Sequence, residues 1–166
     1  MTLVFLGLGS NLGDREGYLR QGVEGIRRRG VHGVALSALY ETDPVGYPHQ
    51  PPFLNMALCA HTPLSPHEVL EVCRAVEGEA GRTRPFPNAP RTLDVDILLY
   101  GEVAMTSPSL TLPHPRLHER AFVLIPLCDL APDVVHPCLG LPLGALARRV
   151  GGEGVRRWAP PPPWLA

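Results

Sequence analysis

Lysine is missing from this chain: all fifteen basic residues among its 166 are arginine. That removes the phosphate-gripping lysine of nucleotide-binding loops, Schiff-base chemistry and any lysine-held cofactor. A bound phosphate must then be held by arginine, by backbone N–H groups or by a metal. Aromatic residues are scarce at 6%, and the net charge is −1, so a nucleic-acid surface built on stacked bases and a basic stripe has little to work with. No apolar run approaches the ~20 residues of a membrane span, and the apolar start at residues 3–8 lacks both a basic leader and a small-residue cleavage site. The expected setting is the cytoplasm, with no membrane or nucleic-acid partner. None of the four cysteines, Cys59, Cys73, Cys128 and Cys138, belongs to a CxxC pair; in a reducing compartment they read as small buried hydrophobes.

What is present reads as a single catalytic domain over residues 1–158, followed by a proline-rich tail at 159–166, with a monomer as the default state. Residues 2–8 are apolar and β-rich before Gly-Ser-Asn-Leu-Gly-Asp breaks them, which predicts a buried strand and a turn. Asp14 can cap a helix whose Leu19, Val23 and Ile26 share a face, and Arg27, Arg28 and Arg29 suit its negative end before Gly30. Residues 31–40 predict a second strand, 42–52 with four prolines a loop, and 53–60 a third strand. Ser65-Pro66-His67-Glu68 has capping-box spacing and opens a helix with Val69, Val72, Cys73 and Val76 on one face. Residues 78–90 read as another irregular loop and 93–100 as a strand, with short β segments at 102–105 and 109–112. Helices are expected at 119–130 and 142–150, and 159–166 as an extended tail. The order β α β β α β, with helices against a mainly antiparallel sheet, is the ferredoxin-like α+β arrangement.

The chemistry concentrates in Pro90-Arg91-Thr92-Leu93-Asp94-Val95-Asp96-Ile97. Residues two apart in a strand share a face, so Asp94 and Asp96 point to one spot while Leu93, Val95 and Ile97 face the core. Two carboxylates ~5 Å apart at an effective dielectric of ~20 repel by about 3 kcal/mol, which a cation between them would relieve. Hard oxygen ligands favour magnesium. The bland alternative is a solvated strand face that binds nothing. Arg82, Arg84 and Arg91 flank the neighbouring loop, and guanidinium forks match phosphate oxygens; surface solubility is the alternative for each. The glycines at 7, 9 and 13 only imitate a dinucleotide fingerprint, because its sixth position falls on Leu12; tight backbone packing is the better use. Pro115 between His114 and His118 breaks helical ligand spacing, leaving His114 as a loop donor to phosphate or an ordinary turn histidine. A non-catalytic sheet module and a magnesium-dependent phosphohydrolase are the competing functional readings.

Gly9-Ser10-Asn11-Leu12-Gly13, Tyr40-Glu41-Thr42-Asp43-Pro44-Val45-Gly46, Phe53-Leu54-Asn55, Gly81-Arg82-Thr83-Arg84, Pro90-Arg91-Thr92-Leu93-Asp94-Val95-Asp96-Ile97 and Leu112-Pro113-His114-Pro115 follow one another in an order and spacing that resemble the hydroxymethyl-dihydropterin pyrophosphokinases. The resemblance implies transfer of pyrophosphate from ATP to 6-hydroxymethyl-7,8-dihydropterin in folate biosynthesis, with release of AMP. It implies two Mg2+ ions on Asp94 and Asp96, and Arg82 and Arg91 stabilising charge in transfer. By the same resemblance Glu77, Arg82, Arg84, Arg91, Ile97, Thr111, His114 and Arg120 would line the ATP site. Thr42, Pro44, Val45, Phe53, Asn55, Asp94 and Phe122 would form the pterin site, with Asn55 reading the ring edge between Phe53 and Phe122. The two loops at 42–52 and 78–90 would close over the substrates, ATP binding first. Departures from the family's pattern are Arg74, Pro87, Asn88, Ser109 and Pro115.

Overall fold

Alternation along the first strand sets the layering. Val4, Leu6 and Leu8 are buried on one side of it, and Phe5, Gly7 and Gly9 therefore face the other. The computed structural model describes residues 1–45, 49–81 and 92–165. Its elements run β1 (Thr2–Ser10), α1 (Arg15–Arg28), β2 (His32–Leu36), β3 (Leu39–Thr42), β4 (Phe53–Thr62), α2 (Pro66–Glu79), β5 (Asp94–Tyr100), β6 (Met105–Thr106), β7 (Thr111–Leu112), a 3-10 turn at Leu117–Glu119, α3 (Ala121–Leu130), α4 (Leu143–Val150) and β8 (Val155–Ala159). The main sheet has the order β5-β1-β4-β3-β8, with β2 also on β4, and every pairing in it is antiparallel. The first helix crosses between β1 and β2, the second between β4 and β5, which is the α+β ferredoxin-like arrangement read from the sequence.

Both crossover helices form for local reasons. Asp14 Oδ1 accepts from Gly17 N–H at 3.0 Å to start α1, whose last turn carries Arg27 and Arg28. Ser65 and Glu68 complete a reciprocal capping box at the start of α2, behind Pro66. These helices bury Leu19, Val23 and Ile26, and Val69, Val72, Cys73 and Val76, against Val4, Leu6, Leu8, Met56, Leu58, Val95 and Ile97. A second core forms on the opposite face, where Leu117, Leu124, Leu127, Leu143 and Leu146 of the 3-10 turn, α3 and α4 pack on Phe5, Ala57, Cys59, Leu98 and Leu99. That second layer covers only one end of its face. The rest, holding Gly7, Gly9, Asn55, Asp94 and Asp96, opens into a cavity.

Three features depart from the sequence reading. The strand expected at 31–40 is broken at Ser37 and Ala38, because the Ser37 side chain enters the ladder: its hydroxyl accepts from Ala57 N–H at 2.8 Å and donates to Ala38 O at 2.7 Å. The β6–β7 ribbon is only two residues on each side, shorter than expected. Strand β8 was not expected at all; its three central residues, Arg156, Arg157 and Trp158, are exposed, so it has no buried alternation to betray it. All four cysteines are free thiols; Cys59 and Cys73 are buried as expected, whereas Cys138 is exposed.

Candidate active site

The register across three strands assembles the site. Asp94 on β5 lies opposite Gly9 on β1, which lies opposite Asn55 on β4; one step along, Asp96 faces Gly7 and Gly7 faces Ala57. Directly paired residues share a face, so two carboxylates and one carboxamide flank a trough whose floor is glycine. A Cβ on Gly9 would sit 2.4 Å from Asn55 Oδ1, while one on Gly7 would meet only Leu98 methyls at 3.4 Å. The glycine in the middle strand is what lets the Asn55 amide lie over the backbone.

The amide is also held from the side. Asn55 Nδ2 donates to Thr42 Oγ1 at 2.6 Å, and both residues are buried. Thr42 pairs with Phe53 across β3 and β4, which puts the Phe53 ring on the same face as Asn55. The opposite wall comes from the start of α3, where Arg120 lies over the Phe122 ring with 5.5 Å between guanidinium carbon and ring centroid. The resulting cavity of about 280 Å³ is lined by Thr42, Asp43, Val45, Phe53, Asn55, Asp94, Asp96, His114, Arg120, Phe122 and Val123, together with Gly7, Gly9 and Leu98.

His114 reaches the cavity from the connection after β7. Its backbone N–H donates to Leu98 O at 3.0 Å, pinning the connection to β5, and its Nδ1 accepts from Arg116 N–H at 3.2 Å. With Nδ1 occupied as an acceptor, the neutral ring carries its proton on Nε2. Burial, reinforced by the Arg120 charge and opposed by Asp94, pushes the imidazole down to about 4. At neutral pH the ring is an uncharged N–H donor beside an arginine, a suitable partner for an anion.

Not every residue expected at the site lines this cavity. Glu77 is buried on α2, where its Oε2 accepts from the N–H of Val95, the residue between the two aspartates, at 2.9 Å. Ile97 lies in the core against α1 and α2, and Thr111 pairs with Thr106 in the small ribbon. Pro44 is half-buried between two lining residues. Arg82, Arg84 and Arg91 lie outside the described residues. Asp43 and Val123 line the cavity without having been singled out: Asp43 is hidden among loop signals, and Val123 sits in a helix that is apolar throughout its first two turns and so gives no facing signal. Among the described residues no group of three or more His, Cys, Asp or Glu side chains converges as a metal cage. Two of the lining carboxylates, Asp94 and Asp96, stand side by side on one strand, a donor set that suits a hard cation whose other ligands are water and phosphate.

Known proteins resemble this chain over most of its length. A family model described as 7,8-dihydro-6-hydroxymethylpterin-pyrophosphokinase matches residues 5–132. A 2-amino-4-hydroxy-6-hydroxymethyldihydropteridine pyrophosphokinase of Bacillus subtilis is 43% identical over 158 residues, covering 95% of this chain and 90% of that one. The protein of the same name from Aquifex aeolicus is 40% identical over 143 residues, covering 86% and 89%. A folic acid synthesis protein of Schizosaccharomyces pombe is 37% identical over 95% of this chain, which spans 22% of its length. Among solved structures, the wild-type HPPK-DHPS of Plasmodium falciparum superposes with a TM-score of 0.73 at 14% identity; this chain covers 48% of that one, and the likeness extends to the fold.

Proposed function

Because the chain belongs to the 7,8-dihydro-6-hydroxymethylpterin-pyrophosphokinase family, we propose that it transfers the pyrophosphate of ATP to 6-hydroxymethyl-7,8-dihydropterin, a step of folate biosynthesis that releases AMP. The observation that carries the reading is the placement of Asp94 and Asp96 in the same cavity as Asn55, Phe53 and Phe122. One side of the trough is anionic and suits a metal–polyphosphate; the other is aromatic with an amide edge and suits a flat heterocycle. The same reading treats residues 1–158 as one catalytic unit, working as a cytoplasmic monomer on two small molecules.

In this reading the pterin slides between Phe53 and Phe122, with the Asn55 amide, held by Thr42, hydrogen-bonding its edge. Its hydroxymethyl oxygen then points toward the aspartates. Asp94 and Asp96 would hold two magnesium ions, which supply charge neutralisation on the polyphosphate and favour the alkoxide form of the alcohol. His114, through Nε2–H, and Arg120 donate to phosphate oxygens, while Glu77 keeps the aspartate strand in register through Val95. The alcohol oxygen attacks the β-phosphorus, the bond from that phosphorus to the α,β-bridging oxygen breaks, AMP leaves with the electron pair and the alcohol proton passes to solvent. The reading assigns Arg82 and Arg91 to the developing charge, and Arg84 to the nucleotide.

An AMP-release assay with ATP, magnesium and hydroxymethyl-dihydropterin tests this directly. AMP should form only when the pterin is present, and Asp96→Ala should lower the rate by at least about a hundredfold. AMP formation independent of pterin, or phosphate release in place of AMP, would point to a hydrolase.

A further inference from the structure

Both ends of the connection between β3 and β4 are tied to a cluster of charged side chains on the face of the sheet away from the cavity. Glu41 is the centre of it. Paired residues alternate faces, so Glu41, lying between Tyr40 and Thr42, projects opposite to the Thr42 that supports Asn55. Its two oxygens are shared out: Oε2 accepts from Arg15 Nη1 at 3.1 Å and Oε1 from Arg156 Nη2 at 3.4 Å. Each arginine then reaches one end of the connection. Arg156 Nη1 donates to Asp43 Oδ1 at 3.0 Å, and Asp43 N–H continues the β3–β8 ladder to Gly154 O at 2.9 Å. Arg15 Nη1 donates to Pro52 O at 3.0 Å, immediately before Phe53. The Arg15 guanidinium is further held over the Trp158 ring, 5.1 Å from its centroid.

The residues so tied are the ones that define the aromatic half of the cavity. Thr42 and Asp43 stand at one end and Phe53 at the other, with Asn55 two residues beyond. We infer that Glu41, Arg15 and Arg156 form a positioning unit that sets the spacing between the two ends of the connection, and with it the fit of the heterocyclic substrate. The inference rests on the proposed function for the identity of that substrate. Isolated surface ion pairs contribute little, but Glu41 and Arg15 are each less than a quarter exposed, and the cluster joins α1, β3 and β8 as a network. Strand β8, absent from the sequence reading, thereby acquires a role: it brings Arg156 to the connection.

The test uses steady-state kinetics with each substrate varied in turn, on the full chain and on Glu41→Gln, Arg156→Gln, the double variant and Arg156→Lys. Glu41→Gln is nearly isosteric and removes charge while leaving the fold a hydrogen-bonding side chain. Expected is a rise in the pterin KM of roughly fivefold or more in each single glutamine variant, with the ATP KM and kcat within about twofold of wild type. The double variant should be no worse than about twice the poorer single one, since both remove the same linkage, and Arg156→Lys should recover part of the loss. A pterin KM unchanged in both single variants of an active wild-type enzyme would overturn the positioning role alone. Equal losses for both substrates would also overturn it, by showing general destabilisation. A wild-type protein that neither turns over nor binds pterin would overturn the functional reading and this inference together.

Discussion

His114 is the residue whose environment most narrows its chemistry. Its Nδ1 takes the Arg116 N–H, burial and Arg120 disfavour the imidazolium, and the ring titrates near 4 in the folded chain against 6.5 when unperturbed. The folded chain therefore refuses a proton that the unfolded chain accepts. Stability contributed by this group is fully present above pH 6.5 and is lost as the pH falls toward 4. His136 acts in the same direction, since burial lowers it and its Nδ1 accepts from the N–H groups of Cys138 and Leu139. His114→Asn should keep an acceptor for Arg116 while abolishing the titration. Urea midpoints at pH 7 and pH 4.5 should thus differ less in the variant than in the wild type; an identical pH dependence in both would show that the ring is not held neutral. A place for the histidine beside the two aspartates was readable from the resemblance. Its tautomer and its depressed proton affinity were not, because they depend on Arg116 and Arg120 folding back on it.

At the scale of elements, β1 does two jobs with one alternation: Val4, Leu6 and Leu8 make the core under α1 and α2, while Gly7 and Gly9 leave the opposite face bare for ligands. The two glycines are not equivalent. A methyl at Gly9 meets the Asn55 amide at 2.4 Å, and a methyl at Gly7 meets only flexible Leu98 at ordinary contact distance. Gly9→Ala should displace the amide from Thr42, raising the pterin KM by roughly tenfold or more and costing about 1–3 kcal/mol of stability. Gly7→Ala should be the milder of the two, and thermal melts with pterin titration of both variants check the order. The strands carrying these residues were legible because each is an apolar run that turn residues punctuate. The break at Ser37 was not, because a serine hydroxyl replacing a ladder bond leaves no mark in periodicity. Ile97 shows the opposite case: alternation along β5 puts it in the core with Val95, as periodicity alone predicts, whereas the resemblance had set it beside the nucleotide.

Across the whole molecule, the proline-rich tail that composition reads as merely extended turns out to be seated. Arg27 Nη1 donates to Trp164 O at 3.0 Å, Trp164 and Leu165 pack against the main core, and Leu165 lies where a Cβ on Gly33 would fall, at 2.6 Å. The chain thus passes from β8 on one edge strand to β2 and α1, and its prolines have no N–H with which to recruit a further strand. Proline content predicts stiffness, but seating depends on a glycine and an arginine more than a hundred residues away. Because the tail's contacts lie on α1 and β2, away from the cavity residues, its removal should separate stability from catalysis. A chain ending at Ala159 should lose about 1–3 kcal/mol, in keeping with two half-buried side chains, and melt several degrees lower. Its kcat at 25 °C should stay within about twofold of the full chain. A melt unchanged by truncation would mean the tail contributes nothing in solution, whereas a large fall in kcat with little loss of stability would mean that the strap reaches the site through β8 and Arg156.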